Sequence, residues 1–252
     1  MAKLRVLDLF SGIGGFSLGL ERTGGFETVA FCEINPFARR VLAKHWPEVP
    51  CFDDVRALNR DALSERGIAV DVICGGFPCQ DISLAGKGAG IDGARSGLWS
   101  EFSRLIGELR PSYVIVENVA ALLGRGLDRV LGDLAALRYD AEWHCIPASA
   151  VGLYHDRDRL WVVAYPAGQH GDARCVLEPS RARRAQLQSR RLHSDALAAI
   201  GRTPGERLER EPGLVRLVQR VSDRTHRLEA QGNTVVPQIP ELIGRAILEA
   251  AA

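Results

Sequence analysis

The stretch LRVLDLFSGIGGFS, residues 4–17, decides the fold. Its first seven residues form an apolar run typical of a β-strand, and a helical pattern starts at about Phe16. The glycine-rich turn between them, residues 11–15, lets a ligand approach the backbone closely and offers the free N–H groups that begin a helix. The stretch therefore predicts a strand, a turn and a helix that bind a ligand at the end of the strand. A purely structural turn is the alternative.

Two carboxylates flank this turn and indicate the class of ligand. Glu33 ends the next predicted strand, 21 positions after Gly12, and an acid in that place commonly accepts hydrogen bonds from ribose hydroxyls. A dinucleotide-binding turn would need a third glycine where Ser17 stands. Asp8, at the end of the first strand, suits the ammonium group of an amino-acid-bearing cofactor better than it suits a pyrophosphate. The pattern favours S-adenosyl-L-methionine over NAD.

Strand and helix patterns alternate as far as about residue 165. Further strands are predicted at residues 28–32, 70–74, 113–116, 143–146 and 160–164, and helices at 35–45 and 98–109. This alternation predicts an α/β sheet covered by helices.

The pattern changes in the last third of the chain. Residues 167–228 are rich in Gly, Pro, Ser and Arg with weak periodicity, which indicates a small, loop-rich domain or a solvated connector. An amphipathic helix is predicted again at about 240–250. We therefore expect a catalytic and cofactor-binding domain at 1–165, a small domain at 166–228, and a segment at 229–252 that returns to the first domain.

Charge is distributed unevenly along the chain. The net charge is +1, but residues 170–228 hold 13 arginines and seven acidic residues. Arginine suits bidentate contacts to phosphate and guanine, so this segment is a candidate nucleic-acid interface. A genome rich in G and C would also favour arginine codons and is the alternative explanation.

Several classes of protein are excluded by composition. No apolar run approaches the roughly 20 residues that cross a bilayer, so no membrane partner is expected. The six cysteines form no C-x-x-C pair and no histidines stand at zinc spacing, so no metal is expected either. The N-terminus does not resemble a signal peptide, and we expect reduced thiols and a cytoplasmic location.

One cysteine occupies a position suited to chemistry. The stretch GGFPCQ, residues 75–80, directly follows the third long strand and places Cys79 at the carboxyl edge of the sheet, where open α/β folds bind ligands. A thiolate is a strong nucleophile near neutral pH. Cys79 is therefore a candidate nucleophile, and a packed, inert thiol is the alternative.

Three charged residues are candidates to join that cysteine. Glu117 ends the fourth long strand, so adjacent parallel strands would bring it beside Cys79, where partial desolvation raises the pKa of a carboxyl group and allows it to share a proton. Arg157 and Arg159 precede another strand and could face the same site. Surface ion pairs are the alternative for both arginines.

Taken together, these motifs resemble the cytosine-5 DNA methyltransferase family, in its compact bacterial or phage-type form. The resemblance covers residues 4–165 and 228–250 in the family's motif order, and it includes the Pro-Cys-Gln motif at 78–80, the Glu-Asn-Val motif at 117–119 and a final motif at 232–236. His155 stands where the family usually has Gln before the two arginines. The resemblance implies a Rossmann-like S-adenosylmethionine-dependent methyltransferase sheet with a small, loop-rich target-recognition domain at 166–228.

The resemblance also implies the roles of the site residues. In the catalytic roles, the Cys79 thiolate attacks C6 of a cytosine flipped out of duplex DNA, Glu117 in its protonated form holds N3, and Arg159 contacts O2 with Arg157 in support. The implied cofactor-binding residues are Asp8, Phe10, Gly12, Gly14, Gly15, Glu33, Ile34, Asp54, Val55, Phe77, Pro78, Leu98, Asn233 and Thr234.

Two other functions stay open on the sequence alone. Related enzymes that act on tRNA share the Pro-Cys-Gln core, and a catalytically silent DNA-binding homologue could keep the fold. The expected function is cytosine-5 methylation of double-stranded DNA by a monomer that belongs to a restriction-modification setting.

Overall fold

The computed structural model describes residues 2–78, 98–152, 157–169 and 234–251. The strands are β1 (Leu4–Leu9), β2 (Phe26–Cys32), β3 (Cys51–Phe52), β4 (Val72–Gly75), β5 (Tyr113–Val119), β6 (Tyr139–Pro147) and β7 (Asp158–Pro166). The helices are α1 (Gly15–Glu21), α2 (Pro36–His45), α3 (Arg60–Ser64), α4 (Leu98–Leu109), α5 (Leu127–Ala136) and α6 (Gln238–Ala250), with short 3₁₀ turns at Ala120–Gly124 and Ala148–Val151.

The seven strands form one sheet in the order β3-β2-β1-β4-β5-β7-β6. Strands β1 to β5 pair in parallel, and β7 is antiparallel to both of its neighbours. The chain moves outward from β1 in one direction through β2 and β3, and then resumes on the other side with β4. This reversal creates a crevice at the carboxyl ends of β1 and β4, which is where open α/β sheets bind ligands.

The predicted α/β fold class is confirmed. The structure adds three elements that the sequence patterns did not predict, β3, α3 and α5, and changes the lengths of others. The strand predicted at 113–116 continues to Val119 because Glu117, Asn118 and Val119 pair with β7. The strand predicted at 143–146 spans Tyr139–Pro147 because it pairs with β7 along its whole length. Asn35 caps α2 as predicted, since its side chain accepts hydrogen bonds from the backbone N–H groups of Phe37 and Ala38.

Apolar side chains cover both faces of the sheet. One core cluster lies on the side of α4 and α5 and includes Leu9, Phe102 and Val130. The other lies on the side of α1 and α6 and includes Phe16 and Ile243. Burial on both faces explains why the central strands β1, β4 and β5 are nearly continuous apolar runs rather than alternating ones.

The first and last helices of the described chain pack against each other with little space between them. A Cβ atom on Gly15 would lie 2.6 Å from the carbonyl oxygen of Val235, and one on Gly19 would collide with the carbonyl oxygen of Pro237. Glycine at these two positions therefore allows α1 to rest directly on the segment that leads into α6. The described part of the C-terminal segment, residues 234–251, thus packs against α1, and the expected division into domains stays a prediction.

The remaining expectations concern a membrane, a metal and the small domain. No helix in the described part of the chain is long and apolar enough to cross a membrane. Within the same residues, no group of three or more metal-ligating side chains occurs. The small domain expected at 166–228 lies outside the described residues from residue 170 onward.

Candidate active site

A cavity of about 330 Å³ opens in the crevice at the carboxyl edge of the sheet. Its wall brings together residues that are far apart in the sequence, from the segments that follow β1, β3 and β4, from β2, β5 and β7, and from α2 and α4. Twelve of the predicted site residues line it: Phe10, Gly12, Glu33, Ile34, Asp54, Val55, Phe77, Pro78, Leu98, Glu117, Arg157 and Arg159. The size is in the range of cavities that hold a small organic molecule, roughly 300–1,000 Å³.

Glu33 is fixed against the glycine turn. One of its carboxylate oxygens accepts a hydrogen bond from the Gly12 N–H at 2.7 Å, and the other accepts one from the Asn35 N–H at 2.7 Å. Gly12 has a φ of +54°, a left-handed conformation that aims its N–H at the carboxylate. Because a carboxylate has about four acceptor positions, Glu33 still offers lone pairs to a hydroxyl in the cavity.

Phe10 lies on the cavity wall in a conformation that bulky residues rarely adopt. Its φ is 52°, and its ring stacks on Phe102 of α4 with centroids 6.4 Å apart. Trp99 and Phe77 extend this aromatic group beneath the cavity, with successive centroids 5.5 to 5.6 Å apart. The ring of Phe10 thus presents a flat apolar surface to a ligand, and the packing beneath it holds the unusual backbone.

Asp54 provides a further acceptor in the same cavity. Its Oδ1 accepts a hydrogen bond from the Arg56 N–H at 2.9 Å, and its Oδ2 lies 3.7 Å from the Arg56 guanidinium. The neighbouring Val55 is buried and packs in the core. Asp54 is therefore held by its own turn, with carboxylate lone pairs left for an amino group.

Glu117 and Arg159 form an ion pair that lines the cavity. The Oε1 of Glu117 lies 2.9 Å from the Nε of Arg159, and the Glu117 side chain is only 11% exposed. Burial raises the pKa of Glu117, although the charges of Arg159 and Arg157 act in the opposite direction. Gly76 permits this placement, because a Cβ there would lie 2.7 Å from the Oε2 of Glu117.

Asn118 connects the ends of β5 and β4. Its side-chain amide donates a hydrogen bond to the carbonyl oxygen of Phe77 at 3.1 Å. Pro78 lies on the cavity wall and is the residue just before Cys79. Cys79 itself and Asn233 lie outside the described residues.

Four of the predicted cofactor residues are not part of the cavity wall. Asp8 is fully buried behind the glycine turn, where its Oδ2 accepts a hydrogen bond from the Ser17 hydroxyl at 2.8 Å. Gly14 faces Trp46 and Gly15 faces Val235, so both serve packing. Thr234 has a buried hydroxyl without a hydrogen-bond partner among the described residues. The placement of Asp8 differs from the expected contact with an ammonium group, because its strand position directs it under α1 rather than into the crevice.

Asp8 gives a pH-dependent prediction about stability. Burial raises the pKa of Asp8 to about 8, far above its unfolded value. Its contribution to folding is therefore complete below the unfolded pKa, near 4, and is lost as pH rises through about 8. Between those limits the free energy of unfolding should fall by up to about 1.4 kcal/mol per pH unit because of this group. Asp8→Asn, which cannot ionise, should lose less stability over this interval than the parent in denaturant titrations.

Asp71→Asn is the matched control for this measurement. The bonds from Arg5 to Asp71, at 2.8 Å, hold the pKa of Asp71 below its ordinary value. Its contribution is present above the unfolded pKa and is lost as pH falls, so removal of this carboxylate should not flatten the alkaline side of the curve. Parallel stability curves for the parent and Asp8→Asn between pH 5 and 9 would contradict the role of Asp8.

Sequence reasoning missed several residues on the cavity wall. Cys32, Asn35, Phe37, Ala38, Asp53, Arg56, Gly76, Asn118 and Val119 also line it. Most of these are direct neighbours of a predicted residue in the chain, so the motifs located the right segments. They could have been found by treating every residue next to a motif residue as a candidate, because the whole segment runs along the cavity.

Comparison with known proteins indicates the family of this chain. A family model described as C-5 cytosine-specific DNA methylase matches residues 4–211. The type II methyltransferase M2.BsuMI of Bacillus subtilis is 37% identical over 169 residues, which cover 64% of this chain and 42% of that protein. The type II methyltransferase M.HhaI of Haemophilus parahaemolyticus is 31% identical over 166 residues, which cover 64% of this chain and 49% of that protein.

A solved structure shares the fold. The DNMT2 of Spodoptera frugiperda superposes with a TM-score of 0.56 at 23% identity, over 66% of this chain and 51% of that one. The matched stretches thus span less than half the length of the two curated relatives.

Proposed function

Because this chain belongs to the C-5 cytosine-specific DNA methylase family, we propose that it transfers a methyl group from S-adenosyl-L-methionine to C5 of cytosine in double-stranded DNA. The observation that carries the proposal is the cavity, since two sets of residues line it together: Phe10, Glu33 and Asp54 form the first, and the Glu117–Arg159 pair forms the second. The first set suits a nucleoside, and the second suits the ring of a pyrimidine. The bound nucleoside and the pyrimidine would both lie near Pro78, the residue before Cys79.

The first set, Phe10, Glu33 and Asp54, fits the proposed cofactor. Glu33 would accept hydrogen bonds from the ribose hydroxyls, Phe10 would pack against the adenine, and Asp54 would accept from the exocyclic amine. Ile34 and Leu98 add apolar surface to the same cavity. When bound, S-adenosyl-L-methionine supplies an electrophilic methyl group. Asp8 would act on this site only through the turn that it supports.

The second set, the Glu117–Arg159 pair, would act on the base together with Cys79. A cytosine stacked in a duplex is out of reach, so it must first be flipped into the cavity. The Cys79 thiolate would then form a bond to C6, while the protonated Glu117 donates to N3 and Arg159 donates to O2. The charge of the addition product is thereby neutralised and C5 becomes nucleophilic toward the methyl group. Transfer of that group to C5 would leave S-adenosyl-L-homocysteine as the second product. Loss of the C5 proton to a base and release of the thiolate would restore the aromatic ring and the free enzyme.

Residues 166–228 are proposed as the part that selects the target sequence. The catalytic residues would accept any flipped cytosine, so sequence choice must come from another segment. This one has the arginine excess that suits contacts to phosphates and guanine edges. Exchanging it with the corresponding segment of a relative should change the methylated site, and an active chimaera that keeps the original site would refute this assignment.

The proposed function is tested by parallel methyl-transfer assays. Purified protein is incubated with methyl-labelled cofactor and either duplex DNA or tRNA, and the labelled positions are then mapped by bisulfite conversion. The proposal expects C5-methylcytosine in the duplex. Label found only in tRNA would favour the RNA-modifying alternative, and bound DNA with no label in either substrate would favour a silent homologue.

A further inference from the structure

We propose that Arg104 is a positioning residue that fixes the segment 54–58 against the cofactor cavity. The inference rests on the proposed function, because it assumes that this cavity binds S-adenosyl-L-methionine. Asp54 and Val55 line the cavity, whereas Arg104 lies on α4 about fifty residues later in the chain. None of the sequence motifs includes Arg104.

The guanidinium of Arg104 bonds to both ends of the turn that follows Asp54. Its Nη2 donates to the carbonyl oxygen of Val55 at 3.0 Å and to that of Leu58 at 2.8 Å. Within the turn, the N–H groups of Ala57 and Leu58 bond to the carbonyl oxygen of Asp54. Arg104 thus satisfies two carbonyls of a turn that lies between β3 and α3 and has no sheet partner of its own.

Two carboxylates on α4 hold the guanidinium in this orientation. Glu101 accepts from its Nε at 2.8 Å and Glu108 accepts from its Nη1 at 2.7 Å. Glu108 also accepts from the N–H of Arg60, at 3.2 Å, where α3 begins. The three side chains therefore form a bracket, Glu101–Arg104–Glu108, that ties α4 to the whole segment from Val55 to Arg60.

The same helix reaches the cavity at two other points. Leu98, its first residue, lines the cavity, and Phe102 supports the ring of Phe10. The residues proposed to contact the adenine, Phe10 and Asp54–Val55, are thus both held by α4. A shift of this helix relative to the turn would change the distance between them, so Arg104 acts on cofactor affinity without touching the cofactor.

Arginine is the side chain that this geometry requires. It has five N–H donors in a planar fork, which here serve two carbonyl oxygens and two carboxylates at once. Lysine keeps the positive charge but has three donors on one atom, so it cannot reach all four acceptors. Comparing arginine with lysine at position 104 therefore distinguishes the hydrogen bonds to the turn from ion pairing within α4.

The test measures binding of S-adenosylhomocysteine by calorimetry to the parent, Arg104→Ala, Arg104→Lys and the control Arg245→Ala. Arg245 forms a similar helix ion pair with Glu241 at 2.9 Å, but on α6. Both Arg104 variants should bind about tenfold more weakly, the scale of losing hydrogen bonds to a charged donor. Their kcat at saturating cofactor should stay near the parent value while KM for the cofactor rises, and Arg245→Ala should match the parent in both.

Hydrogen exchange supplies a readout that does not depend on activity. Amides of residues 57 and 58 should exchange faster in Arg104→Lys than in the parent, with or without ligand, because the turn loses its tether. The inference would be overturned if Arg104→Lys bound S-adenosylhomocysteine as tightly as the parent, or if the exchange rates of these amides did not change. Glu101, Arg104 and Glu108 would then only form ion pairs on α4. If Arg104→Ala does not fold, Arg104→Lys decides. A parent protein that binds no S-adenosylhomocysteine would instead overturn the proposed function.

Discussion

Replacement of Cys79 by serine is expected to abolish methyl transfer and to leave cofactor binding nearly unchanged. A serine hydroxyl is scarcely ionised near neutral pH, so it cannot replace a thiolate in the attack on C6. The cofactor contacts proposed for Phe10, Glu33 and Asp54 do not involve this side chain. Single-turnover assays with labelled cofactor measure the first effect, and calorimetry with S-adenosylhomocysteine measures the second.

Cys145→Ser is the matched control for the nucleophile. Cys145 is an exposed free thiol on β6 and does not line the cavity. This variant should keep the parent rate, which would show that loss of a thiol as such is harmless. A Cys79→Ser protein that turns over near the parent rate would remove Cys79 from the mechanism.

Replacement of Glu117 by alanine should lower kcat by about 10²–10⁴-fold, the usual range for a positioned proton donor. It removes the donor proposed for N3 and leaves the guanidinium of Arg159 without its carboxylate partner. Glu117→Gln keeps an N–H donor in the same place and should retain a larger share of the rate. Equal rates for the parent and Glu117→Ala would contradict the assignment.

The pH dependence of the rate provides a second test of Glu117. Burial raises the pKa of this carboxyl group, and the protonated form is the proposed donor, so the rate should fall as pH rises through that pKa. The Glu117→Gln protein should lack this alkaline decline. Arg159→Ala removes a charge that lowers the pKa of Glu117, so its decline should move to higher pH, although its overall rate is reduced.

The sheet and the location of the site could be predicted from sequence because both depend on local patterns. Apolar runs gave the strands, and the residues that follow β1, β2, β4 and β5 had to meet at one edge of a parallel sheet. Asp8 shows where such reasoning stops. Its position at the end of β1 was predicted, but the side on which it lies is decided by α1, whose Ser17 binds it from behind the turn.

Arg104 and Phe10 show a second limit. An arginine flanked by acids at helical spacing is typical of an exposed helix face, and only the tertiary structure brings the carbonyls of Val55 and Leu58 to it. The positive φ of Phe10 likewise depends on the ring packing supplied by Phe102, far along the chain. Contacts of this kind have no local sequence signal, so they emerge only when the segments are assembled.

The direct packing of α1 on the segment before α6 has a consequence for synthesis on the ribosome. Gln238 follows Glu21 by 217 residues, so at about 5–20 residues per second the N-terminal helix waits roughly 10–40 s for its partner. During that interval the face formed by Phe16 and Leu20 has no Ile243 or Ile247 to cover it. The nascent unit that contains α1 should therefore be a chaperone client, and ribosome-bound chains that stop before residue 238 should be more sensitive to protease at α1 than released chains that contain α6.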